Sequence, residues 1–159
     1  MEVARHVIDT FFRDVPNPLV RHHLDSFDDL LSTKIPGFIR GKNPLTRNLT
    51  DGRLFEIYVG GKDGNEFTYS PPVDEGNAAI LPHTCRTENK TYSLEIRGTI
   101  EIHYIVGTDT DIVRFEDVTI GRIPLMLKSP LCYLSTMQSS ELYGAGECKF
   151  ELGGYFIIG

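Results

Sequence analysis

No run in this 159-residue sequence approaches the ~18 consecutive apolar residues that a membrane-spanning helix requires. The N-terminus alternates charge and apolarity where a secretory signal peptide would carry an uninterrupted apolar region. Both absences argue for an intracellular protein. Positive charge is also scarce: 16 Lys and Arg against 22 Asp and Glu leave a net charge of -6, which repels a phosphate backbone unless the basic residues gather locally. Autonomous nucleic-acid binding is disfavoured on that ground. Only three cysteines occur, Cys85, Cys132 and Cys148, widely spaced and without a CxxC pair. That argues against a disulfide framework and against a structural zinc site, and leaves them as reduced thiols with packing roles. Asn48-Leu-Thr50 and Asn89-Lys-Thr91 fit the glycosylation acceptor pattern, which matters only in a secreted protein. No internal repeat, heptad or low-complexity tract is visible, and no linker is long enough to divide the chain.

What is present suits one globular unit. Apolar residues make up 40% and charged residues 24%, and at this length roughly 70% of the unfolded chain's surface can be buried. Val3, Val7 and Phe11, with Ile8 and Phe12 alongside, have the spacing of an amphipathic helix. After the break at Pro16-Asn17-Pro18, Asn17 is a candidate N-cap and Pro18 a candidate first helical residue. The second helix has a Val20, Leu24, Phe27, Leu31 stripe and is expected to end between Ser32 and Pro36-Gly37.

From Arg53 the period changes. Leu54, Ile57 and Val59 mark a strand and Gly60-Gly61-Lys-Asp-Gly64 a hairpin loop, while Ser70 to Gly76 reads as irregular surface chain. Tyr92 to Val106 alternates, with Tyr92, Leu94, Ile96, Ile100, Ile102 and Tyr104 on one face and Ser93, Glu95, Arg97, Glu101 and His103 on the other. This predicts a long half-buried strand, or a hairpin kinked at Gly98. Gly107 to Asp111 is a turn and Ile112 to Ile120 another strand. Ser135 to Tyr143 is a short helix with Ser135 or Thr136 as cap, stopped by Gly144-Ala-Gly146. The expectation is an α+β fold: a helical pair over 1–36, then a mostly antiparallel sheet within a β-rich portion over 53–159, as one partial domain.

Several constellations could carry chemistry. His22, Asp25 and Asp29 would share one face of a helix and could hold a divalent ion. They lie opposite the apolar stripe, however, so a solvated helix face accounts for them better. Cys85 with His83, or Cys132 with His103, could suggest a thiol nucleophile, but spacing alone places no base beside a sulfur, and packing is the commoner role. Gly144-Ala-Gly146 lacks the third glycine of a dinucleotide fingerprint, and Asp109 and Asp111 lack the later ligands of a calcium loop. No catalytic and no metal-binding residue is therefore assigned. Arg122, Lys128 and Lys149 are the cations nearest the motif-rich end and are the candidate nucleic-acid contacts if folding clusters them.

Three segments carry a family resemblance in order. Val7 to Arg13 followed by Leu19 to Asp28, with Leu24-Asp-Ser-Phe27, is the first; Leu81-Pro-His-Thr-Cys-Arg86 with Thr91-Tyr-Ser93 is the second. Ile120-Gly-Arg-Ile-Pro-Leu-Met-Leu-Lys128, Cys132 and Gly153-Gly-Tyr-Phe-Ile-Ile158 complete the set. Together they resemble the second-largest subunit of multisubunit DNA-directed RNA polymerases, in its N-terminal protrusion region. Three positions depart from the family pattern: Cys85 stands where alanine is usual, Pro130-Leu131 where polar residues are common, and Lys128 where arginine is common, which keeps charge but loses the bidentate fork. Lys34 to Glu66 is compact compared with cellular relatives, in keeping with a divergent, viral enzyme.

The resemblance implies a non-catalytic piece of a nucleotidyltransferase, helping to form the cleft wall for transcription and inactive alone. Its implied partners are the remainder of the second-largest subunit, the other polymerase subunits, and DNA template and RNA through the assembled complex, with no membrane. It implies no cofactor bound by this chain, magnesium being held elsewhere in the assembly. The location would be nucleus or cytoplasm, or the virion of a virus. Tyr155, Phe156, Ile157 and Ile158 form an apolar, β-branched segment expected to be a strand with an orphan edge, completed by a partner strand from a second polypeptide. The competing classes are a structural or interaction protein that keeps the protrusion fold without the polymerase, and a metal-dependent hydrolase using His22, Asp25 and Asp29.

Overall fold

Gly98 divides the longest buried strand of the molecule into two halves that are buried on opposite faces. The computed structural model describes residues 2–15, 17–50 and 52–159, so Pro16 of the expected helix break lies outside the described residues. By contact the chain falls into two units. One comprises the described residues up to Asp29 with Val73–Tyr92 and Pro124–Gly159; the other comprises the described residues of Leu30–Pro72 with Ser93–Ile123.

The second unit holds the sheet. Its strands are β1 (Leu45–Asn48), β2 (Leu54–Val59), β3 (Phe67–Ser70), β4 (Ser93–Val106) and β5 (Asp109–Pro124), and every register given is antiparallel. β4 is central: β2 pairs with it from Leu54↔Ile105 to Val59↔Ile100, β3 from Phe67↔Gly98 to Ser70↔Glu95, and β5 also pairs with it. The Gly60–Gly64 glycines do not form a hairpin between β2 and β3, as their composition suggests. Instead the Thr99 carbonyl accepts from the Gly60 N–H at 2.8 Å and the Thr99 N–H donates to the Glu66 carbonyl at 3.0 Å. Both backbone groups of one residue face the same strand edge. β2 and β3 therefore lie end to end along one edge of β4, with the intervening loop looped out between them. Gly98 is required there: a Cβ would come within 2.6 Å of the Glu66 carbonyl oxygen.

The predicted alternation of β4 is present, but its burial is not what a single apolar face implies. Leu94 and Ile96 are buried before Gly98, whereas beyond it Thr99, Glu101 and His103 are buried and Ile100 and Ile102 only partly so. The reason is cross-strand pairing. Tyr58 on β2 sits opposite Glu101, its ring 4.6 Å from that of His103, and Arg114 on β5 donates to the Glu101 carboxylate at 2.6 Å. Arg114 also pairs with Glu66, and His103 Nε2 lies 3.3 Å from the other Glu101 oxygen. Each buried polar atom named here has a partner, which is what permits burial. β4 and β5 are joined by the two residues Gly107–Thr108, with Gly107 at φ 63°, so the turn is shorter than the expected Gly107–Asp111.

Helical structure in this unit runs further than predicted. Leu30–Lys34 forms a π-turn and α3 follows over Ile35–Lys42, with Pro36 in its first turn, where a missing N–H costs least. Pro36-Gly37 therefore does not end the helix; the last helical residue is Lys42. Tyr69 on β3 donates its hydroxyl to the Leu31 carbonyl at 2.7 Å, and Asn43 closes β2 by donating to and accepting from Val59.

The first unit contains α1 (Glu2–Asp14), α2 (Arg21–Asp29), α4 (Pro82–Thr87) and α5 (Ser139–Gly144). α1 matches its spacing, yet none of its residues is buried: Val3, Val7, Ile8, Phe11 and Phe12 are all exposed. α2 begins at Arg21, later than the Asn17 cap predicts. Asn17 is left-handed (φ 50°) and opens a turn whose carbonyl accepts from both Val20 and Arg21. α5 starts three to four residues after the expected Ser135 or Thr136 cap, with Glu141 accepting from the Gln138 N–H at 2.8 Å, and ends at the expected glycine. The β-rich character stops at Pro124, and the remaining residues are turns, α5 and extended chain.

Candidate functional site

The second and third motif segments meet at Tyr92, which is fully buried. Its N–H donates to the Ile157 carbonyl at 3.1 Å and its carbonyl accepts from Leu125 at 2.8 Å, so one residue bridges the IPLML and YFII segments. Two more bonds complete the junction: Leu127 N–H to the Tyr155 carbonyl at 3.0 Å, and Gly154 N–H to the Leu127 carbonyl at 2.9 Å. Leu125 and Leu127 are fully buried and Ile157 is 9% exposed, so two alternate side chains of one segment and Ile157 of the other lie in the core. The Tyr92 hydroxyl contacts Cys132 Sγ at 3.7 Å, and burial pushes that phenol far above its ordinary range.

Tyr155 lies in a bend, and Tyr155 to Ile158 is not a strand of any sheet. Its two carbonyl bonds go to different segments, Leu127 and Tyr92, so no continuous ladder forms. The orphan-edge expectation is corrected to that extent: the carbonyls of Tyr155 and Ile157 are satisfied within the chain. Phe156 packs edge-on against Phe27 of α2 with ring centroids 5.6 Å apart, and Ile158 is 72% exposed.

Gly153 and Gly154 make this docking possible. They adopt φ 75° and 81°, and a Cβ on Gly153 would sit 2.4 Å from the Leu127 carbonyl oxygen and from Lys128 Cβ. Lys128 itself is left-handed (φ 64°), a conformation that costs a non-glycine residue ~1 kcal/mol or more and persists only when its surroundings impose it. A half-buried ion pair ties the same region together. Arg86 on α4 donates to Glu147 at 2.5 and 2.7 Å and to the Tyr155 hydroxyl at 2.9 Å, and Tyr155 donates to Glu151 at 2.9 Å. Burial opposes the charge on Arg86, but the Glu147 carboxylate more than offsets it and holds the guanidinium above its ordinary range. Glu147 is 61 residues away from Arg86, and no local pattern announces the pair.

Of the candidate nucleic-acid contacts, Lys128 and Lys149 line one groove of about 600 Å³ in the first unit, together with Met137, Leu142, Phe150 and Glu151. Arg122 belongs to the other unit, on β5, where it lies 3.5 Å from Glu95. Phe150, which composition and spacing do not single out, is 74% exposed with the Lys149 ammonium 4.9 Å above its ring. The adjacency of Lys149 and Phe150 in sequence is the signal that could have found it.

The other candidates are placed as follows. Asp25 pairs with Arg21 at 3.3 Å, and His22 stacks on His23 with ring centroids 4.0 Å apart. Among the described residues no group of three or more His, Cys, Asp or Glu is positioned to hold a metal ion. Cys85 is buried, which raises its thiol pKa and disfavours a thiolate, and the His83 ring packs against Gly146. Among the described residues no helix is long and apolar enough to cross a membrane.

Comparison with known proteins gives a consistent result. A family model described as RNA polymerase beta subunit matches residues 18–159. Subunit Rpo2N of DNA-directed RNA polymerase from Methanothermobacter thermautotrophicus (strain Winter) is 33% identical over 152 residues, covering 96% of this chain and 28% of that protein. DNA-directed RNA polymerase III subunit RPC2 is 32% identical in Drosophila melanogaster, over 88% of this chain and 12% of that protein. The RPC2 of Saccharomyces cerevisiae is also 32% identical, over 96% of this chain and 12% of its own length. The chain thus spans about an eighth to somewhat over a quarter of the length of these curated relatives.

Proposed function

The chain belongs to the RNA polymerase beta subunit family, and on that premise we propose that it is an N-terminal, non-catalytic piece of the second-largest subunit of a DNA-directed RNA polymerase. In that role it helps to form the cleft wall for template-directed transcription. The observation that supports this reading is the junction at Tyr92: segments that carry the family resemblance hold one another by backbone bonds through Leu125, Leu127, Tyr155 and Ile157, around the fully buried Tyr92, Leu125 and Leu127. Such a core suits a scaffold, since Tyr92, Leu125, Leu127 and Cys132 of the motif segments are buried in packing.

The proposal assigns nucleotide addition, and the magnesium it needs, to other parts of the enzyme; this chain alone incorporates no nucleotide. Its partners are the remainder of the second-largest subunit and the other polymerase subunits, with DNA template and RNA met through the complex. Tyr155 to Ile158 is the surface proposed to receive the rest of the subunit, a role supported by the exposure of Ile158 and of 41% of Phe156 beside a satisfied inner edge. Arg122, Lys128 and Lys149 are the proposed nucleic-acid contacts.

Mass spectrometry of the native complex recovered with this chain tests the assignment. The largest polymerase subunit should be present in stoichiometric amount. Recovery of a monomeric, soluble protein free of polymerase subunits would overturn it and would favour a structural protein that retains only the fold.

A further inference from the structure

In a chain with a net charge of -6, two lysines share one groove and neither has an ion-pair partner among the described residues. The groove's own carboxylate is not ion-paired with either lysine. Glu151 is engaged on both oxygens, accepting from the Gly153 N–H at 2.8 Å and from the Tyr155 hydroxyl at 2.9 Å. Lys128 is held in its left-handed backbone by the close approach of Gly153, so its position on the groove wall is imposed by the fold. Phe150 also lines the groove, 74% exposed, and Met137 and Leu142 add apolar lining.

Cations without carboxylate partners around an exposed aromatic ring, one of whose faces is covered by the Lys149 ammonium at 4.9 Å, are the elements of a platform for a single nucleic-acid strand, the cations meeting phosphates and the open ring face stacking on an unpaired base. A duplex offers phosphates but no unstacked base, so Phe150 would be idle against it. We propose that this groove is a single-strand subsite, with Lys128 and Lys149 on phosphates and Phe150 under a base. The assignment rests on the polymerase reading above for the choice of nucleic acid as the anion. Its test fails independently, because co-purification reports assembly whereas the groove is measured on this chain alone.

The experiment is fluorescence anisotropy of the full chain with a labelled oligo-dT of about twelve nucleotides, within the ~4–16 that such platforms occupy. Titrations run between about 50 and 200 mM salt. The same-length duplex and an oligo-glutamate peptide are competitors. Lys128→Gln and Lys149→Gln should each flatten the dependence of log affinity on log salt by about 0.7, and Phe150→Ala should weaken binding roughly tenfold. Lys62→Gln, at an exposed lysine of the other unit, should change nothing. Lys149 lacks the left-handed backbone, so its variant reads the groove even if Lys128→Gln perturbs folding. The proposal is overturned by absence of single-strand binding, by equal affinity for the duplex, by tighter binding of oligo-glutamate, or by variants that leave the salt slope unchanged.

Discussion

Replacing Gly153 with alanine should separate two costs that the junction imposes at one residue. The first is conformational: at φ 75° an L-residue pays ~1–2 kcal/mol. The second is steric. The new Cβ would stand 2.4 Å from the Leu127 carbonyl oxygen and 2.4 Å from Lys128 Cβ, where ordinary contacts begin near 3.4 Å, so backbone must move in a core where Leu127 is fully buried. Overpacking of that kind costs ~1–3 kcal/mol, and the total of ~2–5 kcal/mol is a large share of a typical stability of ~5–15 kcal/mol. Gly107→Ala isolates the first cost, because Gly107 has φ 63° and no atom lies within 4 Å of the place its Cβ would take. Urea unfolding monitored by circular dichroism should show Gly107→Ala losing ~1–2 kcal/mol and Gly153→Ala losing clearly more, with the slope m unchanged. Equal losses for the two variants would refute the claim that Gly153 is selected for close approach to the Leu127–Lys128 backbone.

Three further outcomes follow from particular contacts. Arg86→Met keeps the aliphatic packing but strands Glu147, whose side chain is 3% exposed, and should cost about 3 kcal/mol, the low end for a broken buried pair because Arg86 is one-third exposed; Glu147→Gln should cost less in the same unfolding assay. The Glu95 carboxyl is held below its ordinary value of 4.5, first by the Thr119 hydroxyl and then by Arg122 and Arg97 against an opposing burial effect. Its stabilising contribution is therefore complete above the unfolded value and lost as pH falls through the lower folded value, so Thr119→Val should flatten the acid limb of stability against pH below about 4.5. Of the three cysteines, Cys148 is exposed while Cys85 and Cys132 are buried, so Ellman's reagent should titrate one thiol in the native protein and three in denaturant; three fast thiols without denaturant would contradict the packing described for Tyr92 and Cys132.

The parts of this molecule written in adjacent residues were legible without coordinates. The spacing of Val3, Val7 and Phe11 specifies α1, the alternation from Tyr92 to Val106 specifies β4, and Gly144 ends α5 as its composition implies. Each depends on a period of 3.6 or 2 that neighbours alone set up. The family motifs were likewise readable as strings, and with them the α+β class. Pairing and burial were not, because they depend on residues far along the chain. Glu101 and His103 read as solvent-facing until Tyr58 and Arg114 arrive from β2 and β5 to satisfy them. β2 and β3 read as a hairpin until both backbone groups of Thr99 claim the ends of the loop between them.

The candidate site divides in the same way. Lysine charge and the glycine pair are visible in one dimension, but only folding brings Lys128 and Lys149 to one groove while leaving Arg122 in the other unit. Local sequence determines which conformations a segment prefers. Tertiary structure determines which side of it is dry, because exclusion of water requires a second surface that the segment does not carry.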